Sequence, residues 1–126
     1  MNFPSIQAGC TFRSLRAPFH LFVVLTDPHP ADDPQVIFVN LTTAREGSDR
    51  TVVLFAGDHP RIEHESVVFY REARVVPVRK IEYLLSLKAF APEAPIRGDL
   101  LGEMLAGVQI SLWTSPKVKE FLNSLS

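Results

Sequence analysis

The sequence predicts a mainly β protein in which a small, strongly bent antiparallel sheet precedes two or three C-terminal α-helices. Two patterns point to it. The first half carries short runs rich in β-branched and aromatic residues, each stopped by a turn signal. The second half changes to apolar residues spaced by three and four. A chain of 126 residues is one domain's worth and can hold its own core. The expected division is a sheet-forming part over residues 1–80 and a mostly helical part over 81–126.

Taken in order, His20–Thr26 is the first strand and ends at Asp27-Pro28. Residues 28–34 hold three prolines and two aspartates, a surface loop. Gln35–Leu41 is the next strand. Both strands are nearly continuous apolar runs, so both should be buried on two sides. Thr42–Asp49 is polar and turn-rich. Thr51–Phe55 forms a third strand, stopped by Ala56-Gly57-Asp58. Pro60 argues against a central strand over 58–65. Ser66–Tyr70 and Ala73–Val78 read as two short strands, or as one strand broken by a bulge, with Pro77 at an edge or strand end.

Ile81, Leu84, Leu85 and Lys88 suggest a short helix, with a strand as the alternative. Residues 89–98 form a loop. Asp99 can cap a helix whose apolar stripe is Leu100, Leu101, Met104, Leu105 and Val108. Ser115-Pro116 pairs a capping hydroxyl with proline at the first helical position. That last helix should run to about Leu125 and bury Val118, Phe121, Leu122 and Leu125.

Composition excludes several classes. With 46% hydrophobic and 21% charged residues, the chain is no disordered tail, collagen or coiled coil. No apolar run approaches a membrane span, and the N-terminus lacks a signal core, so a cytoplasmic protein without membrane association is expected. The single cysteine, Cys10, excludes an internal disulfide and a cysteine-based zinc site and reads as a small buried hydrophobe. A net charge of −1 argues against non-specific coating of DNA, whereas gripping a short RNA needs only a local basic patch.

Histidine placement carries the chemistry. His29 lies in the proline-rich loop and reads as plain surface. His59 and His64 share one polar segment with Asp58, Arg61 and Ser66, and His20 stands at the entrance of the first buried strand. All three can meet at one rim. Two imidazoles suit acid–base work near neutral pH: one takes the proton of an attacking hydroxyl, the other protonates the leaving oxygen. Cleavage of RNA through its own 2′-hydroxyl needs little more, given donors such as Arg61, Ser66 or Thr43 for the charged phosphorane. The plainer use of these histidines is to cap loops and bind backbone carbonyls. A zinc site of His59 and His64 with Asp58, Glu63 or His20 is a rival use, but the spacing matches no standard motif. No cofactor or metal is therefore assigned. Thr42 and Thr43 can contact a phosphate or simply serve the strand and turn. Arg71, Arg74, Arg79, Lys80 and Lys88 are either a backbone-binding patch or a solvated face.

The early Gly9, the strand Leu21–Thr26, the strand Val36–Leu41 ending in Thr42-Thr43, and the segment Ser66–Arg74 together resemble the MazF/PemK toxins, whose relatives include CcdB. The resemblance implies an SH3-like barrel with C-terminal helices. It also implies a homodimer that cleaves RNA without metal and is neutralised by an antitoxin whose tail fills the RNA groove. The family's catalytic arginine lies near the start of the second strand. Here that region is Ala17-Pro-Phe-His20, with no arginine closer than Arg16. Either His20 takes its place, or the site is rebuilt around His59 and His64, or the chain is not a nuclease. The family threonine maps onto Thr42 or Thr43. Residues 57–66 have no counterpart in the family pattern and mark the expected active or binding surface.

Three functions follow as expectations. The first is a toxin-like endoribonuclease with His59 and His64 as base and acid, His20 and Thr43 positioning the phosphate, and Ser66 and Tyr70 lining the site. The second is a non-catalytic binding module or CcdB-like inhibitor on the same barrel. The third is a small metal-dependent hydrolase using His20, His59 and His64.

Overall fold

The computed structural model describes residues 5–125, and its centre is one long strand. The chain forms β1 (Thr11–Ser14), β2 (Leu21–Val24), β3 (Gln35–Thr43), β4 (Val53–Leu54) and β5 (Ser66–Val68). A single 3₁₀ turn, Tyr70–Glu72, leads to β6 (Arg74–Pro77) and α1 (Val78–Ser86). β7 (Phe90–Glu93), α2 (Gly98–Ile110) and α3 (Pro116–Ser124) complete it. All pairings are antiparallel, in the order β4-β5-β3-β2-β1-β7, with β6 also on β3.

β3 organises the sheet. One of its edges pairs with β2; the other is divided between β6, at its start, and β5, at its end. Leu41 faces Val68 and Phe38 faces Arg74, so three steps along β3 match six along the opposing chain. The three surplus residues are the 3₁₀ turn. Of the two readings of 66–78, two short strands are present, separated by a turn and not by a bulge.

The continuous apolar runs of β2 and β3 are buried on both faces, as expected. Alternation sends Leu21, Val23, Ile37, Val39 and Leu41 to a core closed by α2 and α3 through Leu100, Met104, Val108 and Val118. Phe22, Val24, Val36 and Phe38 face the other way, against Phe12, Phe90 and α1 through Ile81 and Leu85. Each fully buried aliphatic side chain contributes on the order of 1.5–3 kcal/mol.

Three expectations change. The sheet is open among the described residues, with β4 and β7 as its edge strands, and helices cover both its faces, so the architecture is a mixed α/β domain and not a mainly β closed barrel. Residues 90–93, expected in a loop, form β7 and return the second half of the chain to the sheet beside β1, across the expected division at residue 80. Pro92 is compatible with this because β7 is an edge strand, where a missing N–H costs little, and Phe90 packs on Phe12 and Phe22. β1 itself had no sequence signal beyond Gly9, whose φ of 95° makes the turn into it.

The helices follow the sequence closely. α1 begins three residues before Ile81, and α3 starts as expected: the Ser115 hydroxyl accepts from the Val118 N–H, with Pro116 in the first turn. Asp99 lies inside the first turn of α2 and forks with Arg97 instead of occupying the cap position. Cys10 is half-buried and free. Among the described residues, no helix is long and apolar enough to cross a membrane.

Candidate functional site

The polar segment after β4 folds into a tight turn. Gly57, at φ 93°, donates its N–H to the Ile62 carbonyl, and the Asp58 carboxylate accepts from the Phe55 N–H at 2.8 Å. Ile62 and His59 turn inward and anchor it. His64 and Glu65 then lead into β5.

His59 is a structural residue. The residue is 2% exposed. Nδ1 accepts from the Arg61 N–H at 3.0 Å, so Nε2 carries the proton and donates to the Ala94 carbonyl. With both nitrogens engaged, His59 ties this turn to the segment after β7 and does not reach the rim shared by the other two rings. His59→Ala should cost about 2–4 kcal/mol, because it opens a cavity and leaves the Arg61 N–H without its partner, while the Ala94 carbonyl keeps the Thr11 hydroxyl. Chemical denaturation of wild type and variant measures this; a change under 1 kcal/mol contradicts the anchoring role.

His20 and His64 do come together at one cleft of about 300 Å³. Antiparallel register sets Thr43 opposite Ser66, and the Thr43 hydroxyl meets His64 Nε2 at 2.8 Å. The Ser66 hydroxyl donates to the His64 carbonyl at 3.0 Å and fixes the backbone there. Thr42, Arg45, Arg61 and Glu63 add polar lining, and His20 and Phe19 also border the cleft. His64 is exposed. The Arg45 side chain makes no ion pair among the described residues.

Arg61 reaches the cleft wall with its charge already matched by Glu93. The carboxylate takes Arg61 at 2.8 Å and Arg13 at 3.1 Å, joining the turn to β7 and β1. The hydrogen bond from Arg61, against a smaller opposing effect of burial and helped by Arg13, holds the Glu93 carboxyl below its ordinary range. A lowered carboxyl stabilises the fold above the ordinary glutamate range and loses that contribution as pH falls through it. Glu93→Gln should therefore lower stability by about 1 kcal/mol at neutral pH. Thermal melts of the two proteins should converge as the pH is taken well below 4.

The remaining sequence candidates scatter. Tyr70 does not line the cleft: it is fully buried beneath α2, its hydroxyl donating to the Met104 carbonyl at 2.6 Å. Burial, with the nearby Asp49 charge, pushes its phenol upward, so it remains a donor. Asp58 serves its own turn and faces Arg97 at 3.5 Å. Arg71 lies 4.0 Å over the Trp113 ring. Arg74 pairs with Glu72, and Arg79 pairs with Asp33. Lys80 stands at a different cavity. The stretch of basic residues is therefore not one patch. Among the described residues, no group of three or more histidine, cysteine, aspartate or glutamate side chains is placed to hold a metal ion, so His20, His59 and His64 do not form the ligand set a hydrolase of that kind requires.

That second cavity, about 380 Å³, lies between the sheet and α1 and escaped sequence reasoning. Its floor is an aromatic cluster: Phe22 and Phe38 stack at 5.0 Å, and Phe90 lies 5.1 Å from Phe22. Asn40, 5% exposed, faces it from β3. Arg16, Arg74, Lys80 and His20 stand around it. The available signal was one asparagine inside the apolar run Val36–Leu41 of a strand buried on both faces. His20 lines both cavity and cleft. No family model matches this chain, and neither does any curated protein or solved structure.

Proposed function

We propose that the chain is a metal-independent endoribonuclease of the kind its resemblance to the MazF/PemK toxins implies, with His20 and His64 as the acid–base pair. The observation that carries this reading is the cleft lined by both His20 and His64, with His64 bonded to the Thr43 hydroxyl. One imidazole takes the proton of the RNA 2′-hydroxyl as its oxygen attacks the adjacent phosphorus. The other gives a proton to the departing 5′-oxygen, leaving a 2′,3′-cyclic phosphate. Thr43 orients His64, and Arg45 supplies positive charge for the phosphorane. His59 supports the turn and takes no part in proton transfer. Nothing in this reading needs a closed barrel.

The test is incubation of the purified chain with a mixed single-stranded RNA pool in excess chelator. The expected products end in cyclic phosphate, and a 2′-deoxy substitution at the cleaved position should block the cut. Intact RNA, or cleavage that continues past the 2′-deoxy substitution, overturns the reading. A non-catalytic binding module is the second reading, favoured by the aromatic cavity next to the cleft.

A further inference from the structure

The aromatic cavity has the features of a built ligand site. Its volume of about 380 Å³ lies within the range of about 300–1,000 Å³ typical of small-molecule pockets. Its floor offers aromatic surface for a planar ring. Asn40 is 95% buried, and its side-chain amide forms no hydrogen bond among the described residues. Its amide atoms open onto the cavity, where a ligand can take the place of solvent as their partner. The rim is cationic: Glu72 is already matched by Arg74, while Arg16 and Lys80 have no ion pair among the described residues.

We propose that this cavity binds an adenine nucleotide. The base rests on the Phe22, Phe38 and Phe90 cluster, the Asn40 amide meets its donor–acceptor edge, and the phosphate sits at Arg16 and Lys80. A carboxamide presents a donor and an acceptor side by side, which matches the adjacent amino group and ring nitrogen of adenine. On the edge formed by the amino group and N7, guanine instead presents two acceptors, O6 and N7, which a carboxamide cannot satisfy together in either orientation. The phosphate answers the two unmatched cations, which a neutral ring would not. The proposal does not depend on cleavage. If the chain does cut RNA, His20 would set an adenine in the cavity beside the reacting phosphate.

Titration of the full chain with 5′-AMP tests it, followed calorimetrically and by backbone amide shifts. Adenosine, 5′-GMP and inorganic phosphate are the comparators. The expected result is saturable AMP binding that moves the Asn40, Phe22 and Phe90 signals. Adenosine and GMP should bind at least about tenfold more weakly. Lys80→Ala, on the surface of α1, should weaken AMP about tenfold with an unchanged melting temperature. Asn40→Leu should abolish binding while melting within a few degrees of wild type, since its side chain makes no hydrogen bond within the described residues. His64→Ala should bind AMP as wild type does, which separates this site from the cleft. Four results overturn the proposal: no saturation at millimolar AMP, equal affinity for GMP, undiminished binding by Asn40→Leu, or shifts of the same signals on dilution of the free protein. The last would assign the cavity to a contact between copies of the chain.

Discussion

Replacing Gly107 by alanine should destabilise the protein by about 3–5 kcal/mol, the largest stability effect expected of any single methyl group here. Gly107 faces Tyr70 across the junction of α2 and the sheet. A Cβ there would overlap the Tyr70 hydroxyl, lie 2.7 Å from its Cζ and 3.0 Å from a Val52 methyl. The phenol has no room to retreat, because its ring is fully buried and its hydroxyl is engaged by the Met104 carbonyl. Alanine favours a helix over glycine by about 1 kcal/mol, so overlap outweighs propensity. Thermal melts should fall by about 10–20 °C. Gly102→Ala is the control: it lies in the same helix with open space around it, and should be neutral or slightly stabilising. Adding Tyr70→Phe to Gly107→Ala removes the nearer atom but leaves Cζ, so it should recover only part of the loss. Full stability in the Gly107→Ala protein contradicts the close approach of Tyr70.

His64→Ala should lower RNA cleavage by about 10²–10⁴-fold, the contribution usual for a positioned general acid or base. The ring is exposed, and its side-chain hydrogen bond is to Thr43 alone, so the melting temperature should stay within a few degrees. Thr43→Val keeps the shape and removes the hydroxyl. It should cost less, roughly tenfold, by releasing the ring from its fixed orientation. Single-turnover cleavage with saturating protein reads both. Full activity without His64 removes it from the chemistry, and an equal loss in His59→Ala at full folding would restore the assignment of His59 that its burial argues against.

What was legible in the sequence depended on whether a signal was local. The double burial of β2 and β3 follows from apolar runs that need no partner to be read. The start of α3 follows from Ser115-Pro116, because capping is a matter of two or three adjacent residues. β7 was hidden by Pro92 and Pro95, which read as loop; only its place at the sheet edge makes Pro92 harmless. His59 and His64 looked equivalent because both lie in one dense polar segment. Which of them turns inward is decided by the distant Ala94 carbonyl, supplied by a segment that sequence separation of 35 residues conceals. The pairing of His64 with Thr43 likewise depends on register, which neither residue announces. Asn40 was visible all along as a polar break in an apolar run, but its meaning appears only when the phenylalanines of three strands converge beside it.

The three-residue turn between β5 and β6 limits how this chain can change in length. Side chains of a strand alternate between faces, so an odd insertion inverts everything beyond it. Here Val68 and Val75 reach the same core only because three residues lie surplus between them. Removing one or two of these residues would leave β6 out of step with β3 or strain the connection. Removing all three would restore an unbroken ladder, but with the loss of Tyr70 and its hold on α2. Homologous chains should therefore keep this segment at constant length and confine their insertions and deletions to loops such as 28–34 and 44–52.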